Sequence, residues 1–310
     1  MNYLPSYIFA VLLICGLFFG LAPVARKIGL VDYPDERKQH ETPTPLIGGL
    51  CIVIGLLLSL LLFDIPYGQL RILFFCIGII TIIGVLDDHN DIPIYAKFLV
   101  QVFVSVVLVL GDNLIIRNIG DIWAANAYQG LGPLAIPVTL VGIVGGINAF
   151  NLIEGPGGLA GFSALSGISS LLIIYHFSGA VVPLDHWALL SLLAIIVAVF
   201  LVFNVGLFRG WPKIFLGDAG SMLLGLIFAY FLIRMTQPAS DSSFVFSPVV
   251  APWLIGLPLL DMFRVIIKRA LSGRSPLSGD RQHVHHILLH FGFSRVSTLL
   301  ILAAMQLVLC

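Results

Sequence analysis

The sequence predicts an all-α, polytopic transmembrane protein, and three observations carry that prediction. Hydrophobic residues make up 59% of the 310 positions and charged residues only 10%, against about 25% charged in an ordinary soluble domain. The mean hydropathy is +1.05. Apolar runs that supply the roughly 20 helical residues needed to cross a hydrocarbon core of about 30 Å recur from one end to the other.

Ten spans are expected, near residues 3–25, 46–63, 71–86, 94–110, 133–151, 159–177, 187–205, 218–235, 248–267 and 296–310. The first has no Lys or Arg before it and no small-x-small cleavage site before Arg26, so it reads as a retained helix rather than a cleaved signal. The run Val296 to Cys310 is short for a span; it is expected to be truncated, or to enter the bilayer only in part. No polar segment is long enough for a soluble second domain, so residues 1–310 are read as a single membrane-embedded domain.

Placing the N-terminus on the outer, periplasmic side puts 13 of the 16 basic residues inside: Arg26, Lys27, Arg37, Lys38, Lys97, Arg209, Lys213, Arg264, Lys268, Arg269, Arg274, Arg281 and Arg295. Arg71, Arg117 and Arg234 remain outside. An excess of Lys and Arg marks the cytoplasmic face, so a site built from the polar loops is expected to face the cytoplasm. A net charge of zero argues against nucleic acid as a partner. Cys15, Cys51, Cys76 and Cys310 sit in apolar runs without CxxC spacing and read as buried free thiols.

The inner segments hold the chemistry. The first, Val31 to Gly49, mixes both signs of charge with prolines and ends in Gly48-Gly49, where another backbone or a ligand can approach closely. The second, Gly84-Val-Leu-Asp-Asp-His-Asn-Asp91, closes the third span. Carboxylates at the bilayer centre are costly, which places Asp87 and Asp88 at the interface or in a wet cavity. Adjacent carboxylates repel, and one of them becomes a candidate general base.

In the third segment, Asn148, Asn151 and Glu154 recur at one helical turn and share a face. That stripe suits a hard, oxygen-liganded cation such as Mg²⁺; interhelical hydrogen bonding is the alternative use of such amides. The string Gly155-Pro-Gly-Gly-Leu-Ala160 matches a dinucleotide fingerprint only formally, since no strand precedes it. The fourth segment, Phe215-Leu-Gly-Asp-Ala-Gly-Ser221, sets Asp218 among small residues at a span entrance, where it serves either a ligand or a helix cap.

The fifth runs from Asp261 through Arg264, Lys268, Arg269, Arg274 and Arg281 to His283, His285 and His286. Guanidinium forks and imidazoles suit a phosphate or diphosphate, with zinc as the rival ligand for the histidines. No G-x-x-x-x-G-K-[ST] occurs, so a P-loop does not supply the energy and the substrate must be activated already. Carboxylates, a cation stripe and a basic clamp on one face together suggest phosphoryl-type transfer.

Val31-Asp to Gly49, Leu86-Asp-Asp, Asn148-Ala-Phe-Asn-Leu-Ile, Phe215-Leu-Gly-Asp-Ala-Gly-Ser and Asp280-Arg-Gln-His-Val-His-His resemble, in order and spacing, the polyprenyl-phosphate N-acetylhexosamine-1-phosphate transferases. The resemblance spans nearly the whole chain and is nearest to the bacterial branch that starts O-antigen and enterobacterial common antigen synthesis; the phospho-MurNAc-pentapeptide transferases are more distant. It implies a protein of the bacterial inner membrane that moves a sugar 1-phosphate from a UDP-N-acetylhexosamine such as UDP-GlcNAc to undecaprenyl phosphate, with UMP released. Mg²⁺, or Mn²⁺ in its place, is the implied cofactor, and a homodimer is compatible with the resemblance.

By motif, the resemblance makes Asn151 and Asp218 the metal ligands and Asp87 and Asp88 the catalytic pair. Lys97, Asn148, Glu154, Arg281, His283, His285 and His286 are implied as substrate-binding residues. The bacterial pattern after the second Asn is Asp-Gly-x-Asp-Gly, whereas this chain reads Glu154-Gly-Pro-Gly157-Gly. A eukaryotic branch that also lacks both acids is active. A catalytically inactive relative with a binding or assembly role, and a polytopic transporter, are the competing expectations.

Overall fold

A computed structural model describes residues 4–33, 43–63, 67–121, 130–154, 157–179, 183–237, 245–273 and 283–310, apart from the side chains of His286 and Arg295. The chain is an all-α, multi-pass membrane protein. Among the described residues, seven helices are long and apolar enough to cross a membrane. They are α1 (Leu4–Ile28), α3 (Arg71–Asn90), α4 (Ile94–Asp112), α5 (Ala135–Ile153), α6 (Leu159–Phe177), α7 (Leu184–Val205) and α8 (Gly217–Thr236).

The other three expected spans are shorter helices: α2 (Gly48–Leu62), α9 (Gly256–Leu271) and α11 (Arg295–Leu309). Two of them have a local cause. Val31–Asp32 (β1) pairs antiparallel with Thr44–Pro45 (β2), directly before the expected second span, and α2 begins at Gly48, two residues inside it. Ahead of α9, Ala251–Ile255 is a tight 3₁₀ turn carrying Pro252, a residue that cannot donate to a helical ladder. α9 is also strongly amphipathic: Leu257, Asp261, Met262, Val265 and Arg269 are buried, while Leu260, Phe263, Ile267 and Leu271 lie exposed. The remaining helix is α10 (Val284–His290).

α8 is the central post, with nearly every residue buried. It packs against α5, α3 and α2. Small residues make this approach close, as is usual where helices meet without a solvent-driven force between them. A Cβ added at Gly225 would stand 2.5 Å from the Gly146 carbonyl oxygen on α5. Likewise Gly49 on α2 meets the Gly220 backbone, and Gly84 on α3 meets Ala219. Two of these crossings, from α2 and α3, therefore converge on the first turn of α8, and the third, from α5, lies further along it.

The approach to that turn is pinned by backbone bonds. Phe215 N–H donates to Pro45 O at 2.9 Å, and Gly48 and Gly49 N–H donate to Phe215 and Leu216 carbonyls at 2.9 and 2.8 Å. Asn204 Nδ2 holds Ile214 O at 2.8 Å. At the far end of the layer, Arg234 of α8 pairs with Asp112 of α4 at 2.6 Å, which fixes the two helices against each other.

Candidate active site

The carboxyl ends of α3 and α5 and the amino ends of α4 and α8 meet at one end of the helix layer, and most of the expected site residues meet there. Asp87 and Asp88 are neighbours in the last turns of α3. Successive helical residues project about 100° apart, and these two reach different partners. Asp87 is 7% exposed; its Oδ1 accepts the Ile92 N–H at 2.8 Å, closing the turn into α4. Its Oδ2 accepts from Lys97 Nζ at 2.6 Å.

Lys97, in the first turn of α4, also donates to Asp218 Oδ2 at 3.1 Å. One ammonium thus joins two carboxylates from helices far apart in sequence. Its side chain retains 21% exposure, so the cluster is open enough to meet a ligand.

Asp88 turns the other way. Its Oδ1 accepts the Asp218 backbone N–H at 2.8 Å, and its Oδ2 lies 3.3 Å from the Ala219 N–H. Glu154, at the end of α5, accepts the Gly217 N–H through Oε1 at 2.7 Å. The first N–H groups of a helix have no partner inside it, and α8 has no side-chain cap of its own. Two carboxylates from other helices take that part. Gly217 makes room for them: its φ is +74°, and a Cβ there would stand 2.5 Å from Asp88 Oδ2.

Asn151 donates through Nδ2 to Ser221 Oγ at 3.1 Å and reaches the Asp218 carboxylate. Asn148 is drawn elsewhere, bonding Gln101 Oε1 at 2.6 Å and Val144 O at 2.8 Å, the interhelical use of an amide. Burial pushes the Glu154 carboxyl up to about 8, with the Asp218 and then the Asp32 charge adding to it against the hydrogen bond from Gly217. Asp32 and Ser221 are therefore parts of the site that the sequence left inside motifs without a role.

Glu154 Oε2 is buried and has no hydrogen-bond partner among the described residues. With the Asp218 carboxylate close enough to act on it and Asn151 bonded to Asp218, this donor set fits a hard divalent cation, which commonly takes one or two carboxylates and completes its shell with substrate phosphates and water. Among the described residues no group of three or more His, Cys, Asp or Glu forms a ready protein cage. Residues of the histidine segment are arranged separately: His283 and His285 are 8% and 9% exposed, and their rings stack at 5.9 Å. Arg281 and the His286 side chain lie outside the described residues.

The description of glycosyl transferase family 4 matches residues 70–236, the stretch from α3 to α8 that holds Asp87, Asp88, Lys97, Asn148, Asn151, Glu154 and Asp218. An undecaprenyl-phosphate alpha-N-acetylglucosaminyl 1-phosphate transferase of Escherichia coli O157:H7 is 35% identical over 280 residues, covering 90% of this chain and 74% of the relative. The chain belongs to glycosyl transferase family 4. A Yersinia pestis relative of the same name is 34% identical over 87% of this chain and 72% of its own. One from Haemophilus influenzae is 32% identical over 91% and 78%. These relatives match beyond α3–α8, across most of the chain.

Proposed function

We propose that the chain transfers an N-acetylhexosamine 1-phosphate, with GlcNAc-1-phosphate the first candidate, from a UDP-sugar to undecaprenyl phosphate and releases UMP. The reaction would be the first membrane step of O-antigen or related envelope polysaccharide synthesis. The names of the family 4 relatives support the acceptor and the sugar. The bridge Asp87–Lys97–Asp218 at the head of α8 is the observation that carries the chemistry.

An oxygen of the lipid phosphate attacks the sugar-bearing phosphorus; a P–O bond forms there as the bond to the bridging oxygen breaks and UMP departs. A phosphate monoester with a second pKa near 6 is already mostly ionised at pH 7, so little proton removal is asked of the protein. Asp87 then orients Lys97, whose ammonium offsets the charge gathered on the two phosphates. Asp88 holds Asp218 in place through its backbone. Asp218, Asn151 and Glu154 would hold Mg²⁺, with Mn²⁺ an alternative; when bound, the ion neutralises the diphosphate and steadies the departing UMP.

The excess of inner Lys and Arg supports a cytoplasmic site in a bacterial inner membrane, where nucleotide sugars are available. The test is UMP release by detergent-purified protein given undecaprenyl phosphate, UDP-GlcNAc and Mg²⁺, beside an EDTA control and Asp218→Ala. Metal-dependent release that disappears in the variant is expected. Unchanged turnover in Asp218→Ala would overturn the assignment, and silence with every UDP-N-acetylhexosamine would leave a binding role for the chain.

A further inference from the structure

Asp261 on α9 is 1% exposed, a costly place for a carboxylate unless both oxygens are engaged. They are. Oδ1 accepts the Val284 N–H at 2.9 Å and faces Arg264 Nη1 at 3.5 Å, while Oδ2 lies 2.7 Å from His283 Nδ1. The carboxylate therefore grips the start of α10 by its backbone and its first imidazole at once.

The chemistry of this contact fixes the ring. An ionised carboxylate only accepts hydrogen bonds, so Nδ1 of His283 must carry the proton, which leaves Nε2 as the ring nitrogen that Asp261 does not hold. The His283 ring lies parallel to that of His285, with 7° between the planes. α9 packs against α5, the helix whose carboxyl end leads to Asn151 and Glu154. Met262, next to Asp261, comes within 3.9 Å of the place a Cβ on Gly145 of α5 would occupy. Asn148 lies one turn further along that helix.

We propose that Asp261 is a positioning residue: it holds His283 as the Nδ1–H form with Nε2 directed to the diphosphate of the sugar nucleotide. The substrate named here rests on the transferase reading above; the hold on the ring does not.

Asp261→Asn separates this role from docking alone. Val284 N–H still requires an oxygen, and the one amide oxygen meets it; the NH₂ group is then left facing His283 Nδ1. That nitrogen must accept, and the proton moves to Nε2. Shape is kept while the ring's polarity is reversed. In the full-length protein, ¹⁵N spectra of labelled histidine should show His283 protonated at Nδ1 in the parent and at Nε2 in the variant.

Turnover with UDP-GlcNAc should fall about 10- to 100-fold, as when an outer partner of a functional histidine is lost, with the KM for undecaprenyl phosphate unchanged. His283→Gln should lose as much or more, and the double variant no more than His283→Gln alone. Additive losses, or a parent spectrum with Nδ1 bare, would overturn the proposal. If Asp261→Asn does not fold, the parent spectrum decides. If the parent releases no UMP with any UDP-N-acetylhexosamine, the transferase reading fails while the spectra still judge the Asp261–His283 pair.

Discussion

Asp88 Oδ1 and the backbone N–H of Asp218 meet at 2.8 Å, so a carboxylate on α3 closes the open end of α8 from 130 residues away in sequence. The expected metal ligand is thus placed by a residue read from sequence as half of a catalytic pair. Asp88→Ala strips the acceptor from two N–H groups and should lower stability by about 2 kcal/mol together with most of the UMP release. Asp88→Asn keeps one oxygen for Asp218 N–H and should sit between the two. Thermal melting and turnover in the same detergent check the order; equal activity of Asp88→Ala and the parent would refute the positioning role.

Gly217 stands beneath the same carboxylate at φ +74° with Asp88 Oδ2 where a Cβ would go. Gly217→Ala should therefore cost about 1–3 kcal/mol from left-handed strain, with further loss from displacing Asp88. A melting temperature within a degree of the parent would show that the turn has another conformation open to it.

Much of this was legible in the sequence, for a physical reason: a bilayer demands long apolar helices, and polar residues collect where they end. The expected run 159–177 is α6 without adjustment, and 71–86, 94–110, 133–151 and 218–235 match α3, α4, α5 and α8 to within a turn or so. The short helices were less legible. Apolarity alone does not show that Pro45 is spent on a hairpin with Val31, or that one face of α9 carries Asp261 and Arg269 into the interior.

Site roles were less legible still. Sequence adjacency suggested that Asp87 and Asp88 act on each other, whereas helical geometry sends one to Lys97 and the other to the head of α8. Asn148 and Asn151 share a stripe, yet Gln101, 47 positions away, takes the first. Long-range partners of that kind have no local signature. The missing second acid of the family pattern is similar: Glu154 reaches the Gly217 N–H, and nothing in the string Glu154-Gly-Pro-Gly157 shows it.

Lys97 is the only side chain that joins Asp87 to Asp218 among the described contacts. Lys97→Met would leave two carboxylates facing each other without a counter-charge, so kcat should fall on the order of 10²- to 10³-fold, the scale of losing one preorganised charge partner. Lys97→Arg keeps the charge but replaces a compact ammonium by a planar fork, and should recover only part of it. Steady-state UMP release separates these outcomes; full activity in Lys97→Met would remove the bridge from the mechanism.

Glu154 gives a pH-dependent test. Its carboxyl is raised from 4.5 to about 8 in the fold, chiefly by burial, so the folded state binds that proton more tightly than the unfolded chain does. Stability contributed by the proton is complete below about 4.5 and is lost as pH rises towards 8. Glu154→Gln retains an oxygen for Gly217 N–H and has no charge to bury. In EDTA, its melting temperature relative to the parent should therefore climb steadily between pH 5 and pH 8, a window set by the same two values. Adding Mg²⁺ at the upper end should narrow the gap if the ionised carboxylate, with its orphan Oε2, takes a cation. A difference that stays flat across the range would mean that Glu154 is ionised throughout and that its second oxygen already has a partner.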